Sequence, residues 1–246
     1  MPPKVCQPCC SGTISGVVVS HYQTVSQEWL IGLRLRTTSV TNSKRRPLIA
    51  VDLDDVLSQT NEFMRIHVNE NYGQKHSAKD YLIEAPYHNY WEIVWAVDET
   101  EGNTRYASYS KLRNGDNMRP IQGALSVLKK LKKDFDLIII TARGTDDAEA
   151  TKIWLEKNYP SIFDHIEFVP AAMNADKEVT KAMICRQLGV DYVIDDAMEH
   201  CELIAEAGIQ CLLFGEYGWS RYKTLPPLVS RVTDWSAVEE YFNAAQ

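Results

Sequence analysis

The chain of 246 residues lacks any apolar run close to the roughly 20 residues that a bilayer-spanning helix requires. It also lacks internal repeats and, in its body, low-complexity tracts. These absences exclude a transmembrane protein and a repeat architecture, and we expect no membrane partner. A hydrophobic content of 45% is ordinary for a globular protein, so a sizeable core is available.

Cysteine is also too sparse for a disulfide scaffold, because six cysteines are spread over a chain of this length. Three crowd within residues 6–10, and the other three fall in apolar segments of the body. The first group lacks the second cysteine pair or the nearby histidine pair that a structural zinc site needs. We therefore expect reduced thiols and a reducing compartment.

Acidic residues are almost absent from residues 1–47, which contain six basic residues and a single acid, Glu28. The remaining residues carry 20 basic and 32 acidic side chains, and the whole chain has a net charge of −7. An acidic body argues against binding to a nucleic-acid duplex, which would require a basic surface. Small phosphorylated molecules are not excluded, since one metal ion and one lysine can attract them locally.

Residues 1–46 are rich in Ser, Thr and Val and end in Lys44-Arg45-Arg46. This composition predicts a flexible or targeting tail. Plain disorder and an organelle transit peptide are both compatible with it. We expect a cytoplasmic protein, with a mitochondrial location as the alternative if the basic tail is a transit peptide.

From residue 48 onward, short apolar runs alternate with helical patterns, which is typical of a parallel α/β sheet. Pro120 suits a first helical turn, and Ser236 with Glu239 forms a capping box for a last helix. The predicted strands are 48–51, 137–140, 166–169, 192–194 and 211–214, and the predicted crossover helices begin near Pro120 and span 148–159, 181–188 and 198–207. The predicted fold is a Rossmann-like, doubly wound parallel sheet whose core domain comprises 47–57 and 119–246.

The segment 58–118 is too long for one crossover, so we predict a small helical cap inserted after the first strand. Residues 61–72 have a helical pattern that ends at Gly73, and residues 87–97 are dense in aromatics, including Tyr90, Trp91 and Trp95. These aromatics favour a small cap core, with stacking on a substrate base as the alternative.

Acidic and polar residues follow the predicted strands where each strand ends. Asp52 and Asp54 follow the first strand, Thr141 ends the second, and Asp195-Asp196 end the fourth. Because the carboxyl ends of parallel strands meet at one sheet edge, these residues should share a site. Lys181 opens a predicted helix, where an ammonium group and a helix N-terminus both favour an anion.

Four carboxylates converging on one lysine would repel one another, so they require a hard cation or must keep protons. Mg²⁺ fits, because it prefers oxygen ligands at about 2.0 to 2.1 Å and usually retains waters and a substrate phosphate. A metal bound by Asp52 and a terminal acid would keep Asp52 ionised for attack on phosphorus. Asp54 would then lie close enough to act as general acid.

These elements together resemble the haloacid dehalogenase superfamily of aspartate-nucleophile phosphatases. Residues 52–57 resemble its first motif, 138–143 its second, Lys181 its third and 192–196 its fourth. The pattern before the second motif and the pattern of residues 181–196 are similar to those of the 5'-nucleotidase branch that includes the 5'(3')-deoxyribonucleotidases. The resemblance covers roughly residues 48–243 and leaves the tail unmatched.

The resemblance implies a nucleophile, Asp52, that forms an aspartyl-phosphate, and an acid and base, Asp54, that also offers its backbone carbonyl to Mg²⁺. It implies that Thr141 and Lys181 hold the phosphoryl oxygens, with Lys177 as a rival lysine. The implied sets are Asp52, Asp54, Thr141 and Lys181 for catalysis; Thr141, Ala142, Arg143 and Lys181 for substrate binding; and Asp52, Asp54, Asp195 and Asp196 for the metal.

The function that the resemblance implies is Mg²⁺-dependent hydrolysis of a small phosphate monoester, with a nucleoside monophosphate as the leading substrate. The alternatives are a phosphatase of another small ester and a non-catalytic phosphate-binding regulator on the same fold. One departure from the family pattern is Asp55, which stands where many relatives carry glycine.

Overall fold

A computed structural model describes most of the chain after residue 44. The described residues are 45–83, 90–112, 118–169, 180–221 and 223–244. The predictions for residues 1–44, for Tyr87 and for Lys177 lie outside these ranges.

Six parallel strands form one sheet in the order β3-β2-β1-β4-β5-β6. The strands are β1 (Leu48–Val51), β2 (Asp136–Thr141), β3 (His165–Phe168), β4 (Tyr192–Asp195), β5 (Gln210–Phe214) and β6 (Val229–Val232). Because the chain runs outward from β1 in one direction and then returns to place β4 on its other side, the sheet is doubly wound, as predicted. The direction reverses between β1 and β4.

The sixth strand was not predicted from the sequence. Its two end residues, Val229 and Val232, are buried and its two middle residues, Ser230 and Arg231, are half-buried, and it lies at the edge of the sheet. The central strands are continuous apolar runs because helices cover both faces of a parallel sheet, whereas an edge strand shows a weaker pattern. A strand of four residues with two adjacent polar residues in the middle shows neither an alternating pattern nor a continuous apolar run.

Eight α-helices are described. They are α1 (Thr60–Tyr72), α2 (Tyr90–Ile93), α3 (Glu99–Ser110), α4 (Ala124–Leu131), α5 (Ala148–Asn158), α6 (Lys181–Leu188), α7 (Met198–Glu206) and α8 (Trp235–Ala244). The bounds of α5, α6 and α7 agree with prediction to within one residue. None of the helices described is long and apolar enough to cross a lipid bilayer.

Two predicted helix starts are wrong. Pro120 precedes α4 instead of lying in its first turn: it forms an isolated bridge with Ser58, and the helix begins after Gly123, whose φ of 85° is unfavourable for other residues. Helix α8 is capped by Asp234, whose Oδ1 accepts a hydrogen bond from Ala237 N at 3.0 Å. Ser236 therefore lies inside the helix and does not begin it.

Arg45 and Arg46 bind to the core, although both lie in the segment predicted to be a flexible or targeting tail. The Arg45 guanidinium pairs with both carboxylate oxygens of Asp191 at 2.8 Å, and Asp191 Oδ2 also accepts from Leu48 N. Arg46 donates to the carbonyl oxygens of Lys132 and Phe135. The start of β1 is therefore fixed by the turn that precedes β4.

Helices α1, α2 and α3 lie between β1 and β2 in the chain and form their own aromatic cluster. Trp95 is 2% exposed and donates from Nε1 to the Tyr81 hydroxyl at 2.7 Å. Tyr109 is fully buried, and its hydroxyl donates to Thr60 O. Trp95 thus packs in the interior of this region, in agreement with the interpretation of the aromatic segment as core.

Gly102 allows α3 to approach the preceding segment closely. A Cβ added at this position would lie 2.5 Å from Trp91 Cβ and Cγ, so the indole would have to move. Close-packed interiors resist such movement, and overpacking usually destabilises a protein.

We predict that Gly102→Ala lowers the free energy of unfolding by about 1 to 3 kcal/mol, although alanine is the better helix former. Urea denaturation measures the change. Asn103→Ala in the same helix is the matched control, because Asn103 is exposed, and its stability should stay within about 0.5 kcal/mol of the wild type. A Gly102→Ala variant more stable than the wild type would contradict the packing.

Candidate active site

Three buried aspartates meet where the sheet reverses direction. Asp52 follows β1, Asp195 ends β4, and Asp196 follows it. One carboxylate oxygen from each lies within 4.8 Å of the others. A backbone hydrogen bond of 2.9 Å from Asp52 N to Ile194 O joins the two strands at this point. Ligands of open α/β folds bind at this crevice, so the arrangement is a candidate active site.

Lys181 lies between two of these acids. Its Nζ is 2.6 Å from Asp195 Oδ2 and 2.8 Å from Asp52 Oδ1, and its side chain is 4% exposed. The first residue of α6 is Lys181, which is held there by the N-cap Thr180, whose hydroxyl accepts from Met183 N at 3.2 Å. The predicted helix start is therefore correct, and it delivers the ammonium group to the sheet edge.

The pKa values show how much negative charge this edge holds. Burial raises the pKa of Asp52 to about 6, with Asp195 and Asp54 adding to the rise and Lys181 opposing it. Burial and the neighbouring carboxylates also raise the pKa of Asp196. Burial acts in the same direction on Asp195, but Lys181 and His200 outweigh it and lower the pKa of that group.

The donor set fits a divalent cation. Asp52 Oδ1 is buried and lies 2.8 Å from the Lys181 ammonium, its cationic neighbour among the described residues. The carboxylates of Asp52 and Asp196 are too close to remain ionised together without further positive charge. Oxygen ligands of this kind suit a hard cation, which would supply that charge.

Asp54 lies beside the aspartate cluster, but its carboxylate is paired with the guanidinium group of Arg143. Arg143 is buried and binds its carboxylate through Nη2 at 2.6 Å and through Nε at 3.0 Å, and the Thr60 hydroxyl donates to Oδ1. The Arg143 Nη1 also donates to the Thr151 hydroxyl at 3.3 Å. Arg143 therefore orients Asp54. As a substrate-binding residue it stays a prediction, since its guanidinium already binds protein groups.

Thr141 and Ala142 lie at the same edge. Thr141 ends β2, is fully buried, and its hydroxyl accepts from Arg143 N at 3.3 Å. Ala142 is half-buried in the turn that follows. The end of β2 is thus linked to Asp54 by the side chain of Arg143. The contacts of Thr141 and Ala142 with a phosphoryl group remain predictions.

Asp55 has a clear structural task that the sequence did not indicate. Its φ is 57°, in the left-handed region that favours glycine, so the backbone here would also accept a glycine. Its Oδ1 accepts from Asn61 N at 2.9 Å in the first turn of α1, whose N-cap residue makes no side-chain bond. The carboxylate therefore caps α1 from outside the helix.

Sequence reasoning missed two residues that contact the acidic pair. Trp219 donates from Nε1 to Asp196 Oδ2 at 2.6 Å, and His200 Nδ1 lies 3.2 Å from Asp195 Oδ1. Trp219 lies in the segment after β5, so the rule that strand ends share an edge could have placed it near the site. His200 lies in α7 and carried no comparable signal.

A cleft of about 150 Å³ opens beside the aspartate cluster, between the start of α1 and the loop after β5. It is lined by Asp55, Gln59, Asn61, Glu62, Ala78, Tyr81, Leu82 and Tyr217. The Tyr217 hydroxyl donates to Asp55 O at 2.9 Å, and the Tyr217 ring stacks on Trp219 with centroids 4.8 Å apart. The cleft therefore adjoins the residues that contact Asp196.

The chain shares its fold with solved structures that are described as hydrolases or phosphatases. A haloacid dehalogenase-like hydrolase from Streptococcus pneumoniae is 17% identical, with a TM-score of 0.58 over 80% of this chain and 98% of that chain. A protein described as a predicted phosphoglycolate phosphatase from Haemophilus somnus 129PT is 15% identical, with a TM-score of 0.55 over 83% and 100%. No curated protein matches the sequence significantly.

The family match, together with the fold, shows that the chain is a phosphatase of the haloacid dehalogenase superfamily. Within it, the chain belongs to the family described as 5' nucleotidase, deoxy (pyrimidine), cytosolic type C protein, whose profile matches residues 46–245. The protein is accordingly a phosphoric monoester hydrolase that acts on a small phosphorylated substrate. The resemblance predicted from the motifs is confirmed.

The capping role of Asp55 predicts that two substitutions at this position differ in their effect on stability. Asp55→Asn keeps an acceptor for Asn61 N and tolerates a positive φ, whereas Asp55→Ala loses both, so the alanine variant should be less stable by about 2 kcal/mol. Urea denaturation in EDTA measures the difference. Equal stability of the two variants would contradict the cap.

The same variants test the pH dependence. Burial raises the pKa of Asp55 in the folded state, so the folded protein binds this proton more tightly than the unfolded chain does. The wild type should therefore lose stability relative to Asp55→Asn as the pH rises above about 4. A constant difference between pH 4 and pH 8 would contradict the raised pKa.

Proposed function

We propose that the protein hydrolyses nucleoside monophosphates with Mg²⁺ and an aspartyl-phosphate intermediate. The observation that carries the proposal is the buried Asp52 carboxylate, whose Oδ1 contacts the Lys181 ammonium at 2.8 Å and which has an oxygen within 4.8 Å of oxygens of two further buried aspartates. Three buried carboxylates this close carry more negative charge than one ammonium group compensates, as a site for a hard cation requires. The family match supports a nucleotide as the substrate.

Asp52 would attack the phosphoryl group and displace the leaving alkoxide. With a pKa of about 6, its carboxyl group is largely ionised at neutral pH, as a nucleophile must be. Lys181, 2.8 Å away, would offset negative charge on the transferring group. Mg²⁺ held by Asp52, Asp196 and the backbone carbonyl of Asp54, with Asp195 nearby, would supply further positive charge when bound.

Asp54 would give a proton to the leaving oxygen and later take one from the hydrolytic water. Arg143 fixes the carboxylate in place through two nitrogens, and the Thr60 hydroxyl donates to the same carboxylate. The Thr141 hydroxyl and the backbone around Ala142 would contact the phosphoryl oxygens from the end of β2. The segment 58–118, which we propose as a cap on the core of 47–57 and 119–246, would enclose the leaving group.

We place the activity in the cytoplasm, because the matched family is described as cytosolic. The alternative of mitochondrial import depends on residues 1–44, outside the described part of the chain.

Replacement of the nucleophile tests the mechanism. Asp52→Asn should abolish turnover, and Lys181→Ala should lower it, because each removes a group that acts on the phosphoryl oxygens or phosphorus. Phosphate release under saturating Mg²⁺ measures both. Asp146→Asn is the matched control, since Asp146 is exposed and lies outside the site. Full metal-dependent activity in Asp52→Asn would refute the mechanism.

A substrate screen tests the substrate class and the metal together. Phosphate release should be highest for nucleoside monophosphates among nucleotides and sugar phosphates, should stop in EDTA and should return with Mg²⁺. A preference for sugar phosphates would indicate a phosphatase of another ester. Binding without turnover of any ester would indicate the regulatory alternative.

A further inference from the structure

The cleft that Asp55 and Tyr217 line contains a polar side-chain atom, Asn61 Oδ1, without a partner among the described residues. Asn61 is 8% exposed and lines the cleft, and this oxygen is buried. Its backbone is fixed in the first turn of α1, where N donates to Asp55 Oδ1 at 2.9 Å. An unsatisfied buried amide oxygen costs about 1 to 3 kcal/mol, so this acceptor is suited to a donor from a bound molecule.

The charges around the cleft restrict what can bind there. The ionisable carboxyl groups that line it are those of Asp55 and Glu62, and no lysine, arginine or histidine lines it among the described residues. The carboxylate of Glu62 is paired with Arg65, at 2.6 Å from Nη2 and 2.8 Å from Nε, so this guanidinium is already used. An anionic group in the cleft would meet no counter-charge.

The rest of the lining suits a flat, neutral group. Tyr81 and Tyr217 offer aromatic surface, and Ala78 and Leu82 offer apolar surface. Tyr81 is 2% exposed, and its hydroxyl accepts from Trp95 Nε1, which holds the ring in place. Rigid aromatic walls with one free acceptor favour a planar ligand that carries an N–H donor.

We propose that Asn61 determines specificity by accepting a hydrogen bond from an N–H or O–H group of an uncharged leaving group. The cleft thereby selects a nucleoside over leaving groups that carry a carboxylate. This inference rests on the proposed function, because it places the phosphoryl group at Asp52 and the planar part of the leaving group in the cleft, whose volume is about 150 Å³. It assigns the choice of substrate to a residue outside the catalytic set.

The test compares three kinds of leaving group in wild type and Asn61→Leu. The substrates are the common ribo- and deoxyribonucleoside 5'-monophosphates, p-nitrophenyl phosphate, which offers no N–H or O–H donor, and phosphoglycolate, which carries a carboxylate. Asn61→Leu should lower kcat/KM about 10-fold for the best nucleotides, the loss expected for one buried hydrogen bond, and leave p-nitrophenyl phosphate within about 2-fold. Phosphoglycolate should be a poor substrate for both.

A control variant and a binding measurement separate specificity from folding. Asn69→Ala changes an asparagine of the same helix whose carboxamide already bonds to His76 N and O, and it should leave the ratio between substrates unchanged. Calorimetric titration with the nucleoside of the best substrate should show weaker binding to Asn61→Leu, and Asn61→Ala repeats the measurement if the leucine variant does not fold.

The outcomes distinguish the two proposals. If the wild type hydrolyses none of these esters, the proposed function fails. If it hydrolyses them but Asn61→Leu slows all of them equally or none of them, the specificity role of Asn61 is wrong. Efficient hydrolysis of phosphoglycolate by the wild type would overturn the charge argument while leaving the phosphatase activity intact.

Discussion

The structure of the site depends on one ammonium group placed between two carboxylates. Lys181 contacts Asp52 from β1 and Asp195 from β4, the two strands between which the sheet reverses direction. Burial would lower the pKa of Lys181, but Asp195 and Asp52 raise it, so the group stays charged in the interior. This contact lets two buried acids approach one another, and it leaves Asp196 as the carboxylate whose charge is least compensated.

The same contact separates the acids into two groups with different partners. Asp52 and Asp195 share Lys181 and lie close to Asp196 in a group that suits a cation, whereas Asp54 faces Arg143 and Thr60. These two surroundings separate the proposed nucleophile, Asp52, from the proposed acid-base group, Asp54. Asp55 belongs to neither group: it turns the chain and caps α1.

Much of the fold could be predicted from the sequence, because strands that are buried on both faces of a parallel sheet are continuous apolar runs. The runs at β1, β2, β4 and β5 are continuous and apolar, and α6 begins at the lysine that its pattern indicated. The edge strand β6 was missed because half of its short length is polar. The start of α8 was misplaced because Asp234 and Ser236 are both good capping residues, and only the backbone geometry decides between them.

For the site, the acids and Lys181 could be predicted because strand ends meet at one edge. The direction in which a long side chain points could not be predicted in this way. The motif that contains Arg143 suggested a contact with substrate, and the structure shows a contact with Asp54. The contacts from Trp219 and His200 join segments distant from the motifs. Unpartnered acceptors such as Asn61 Oδ1 are visible only when all neighbouring groups are placed.

Trp219 gives this arrangement a further property. Its indole donates to Asp196 and at the same time packs in the aromatic cluster of residues 64–109, together with Met64 and Tyr81. A cation bound by the Asp196 carboxylate would therefore weaken or reorient the hydrogen bond that Trp219 Nε1 donates to it, and Trp219 belongs to the aromatic cluster. By thermodynamic linkage, the affinity of the carboxylates for the ion and the packing of the cluster must influence each other equally.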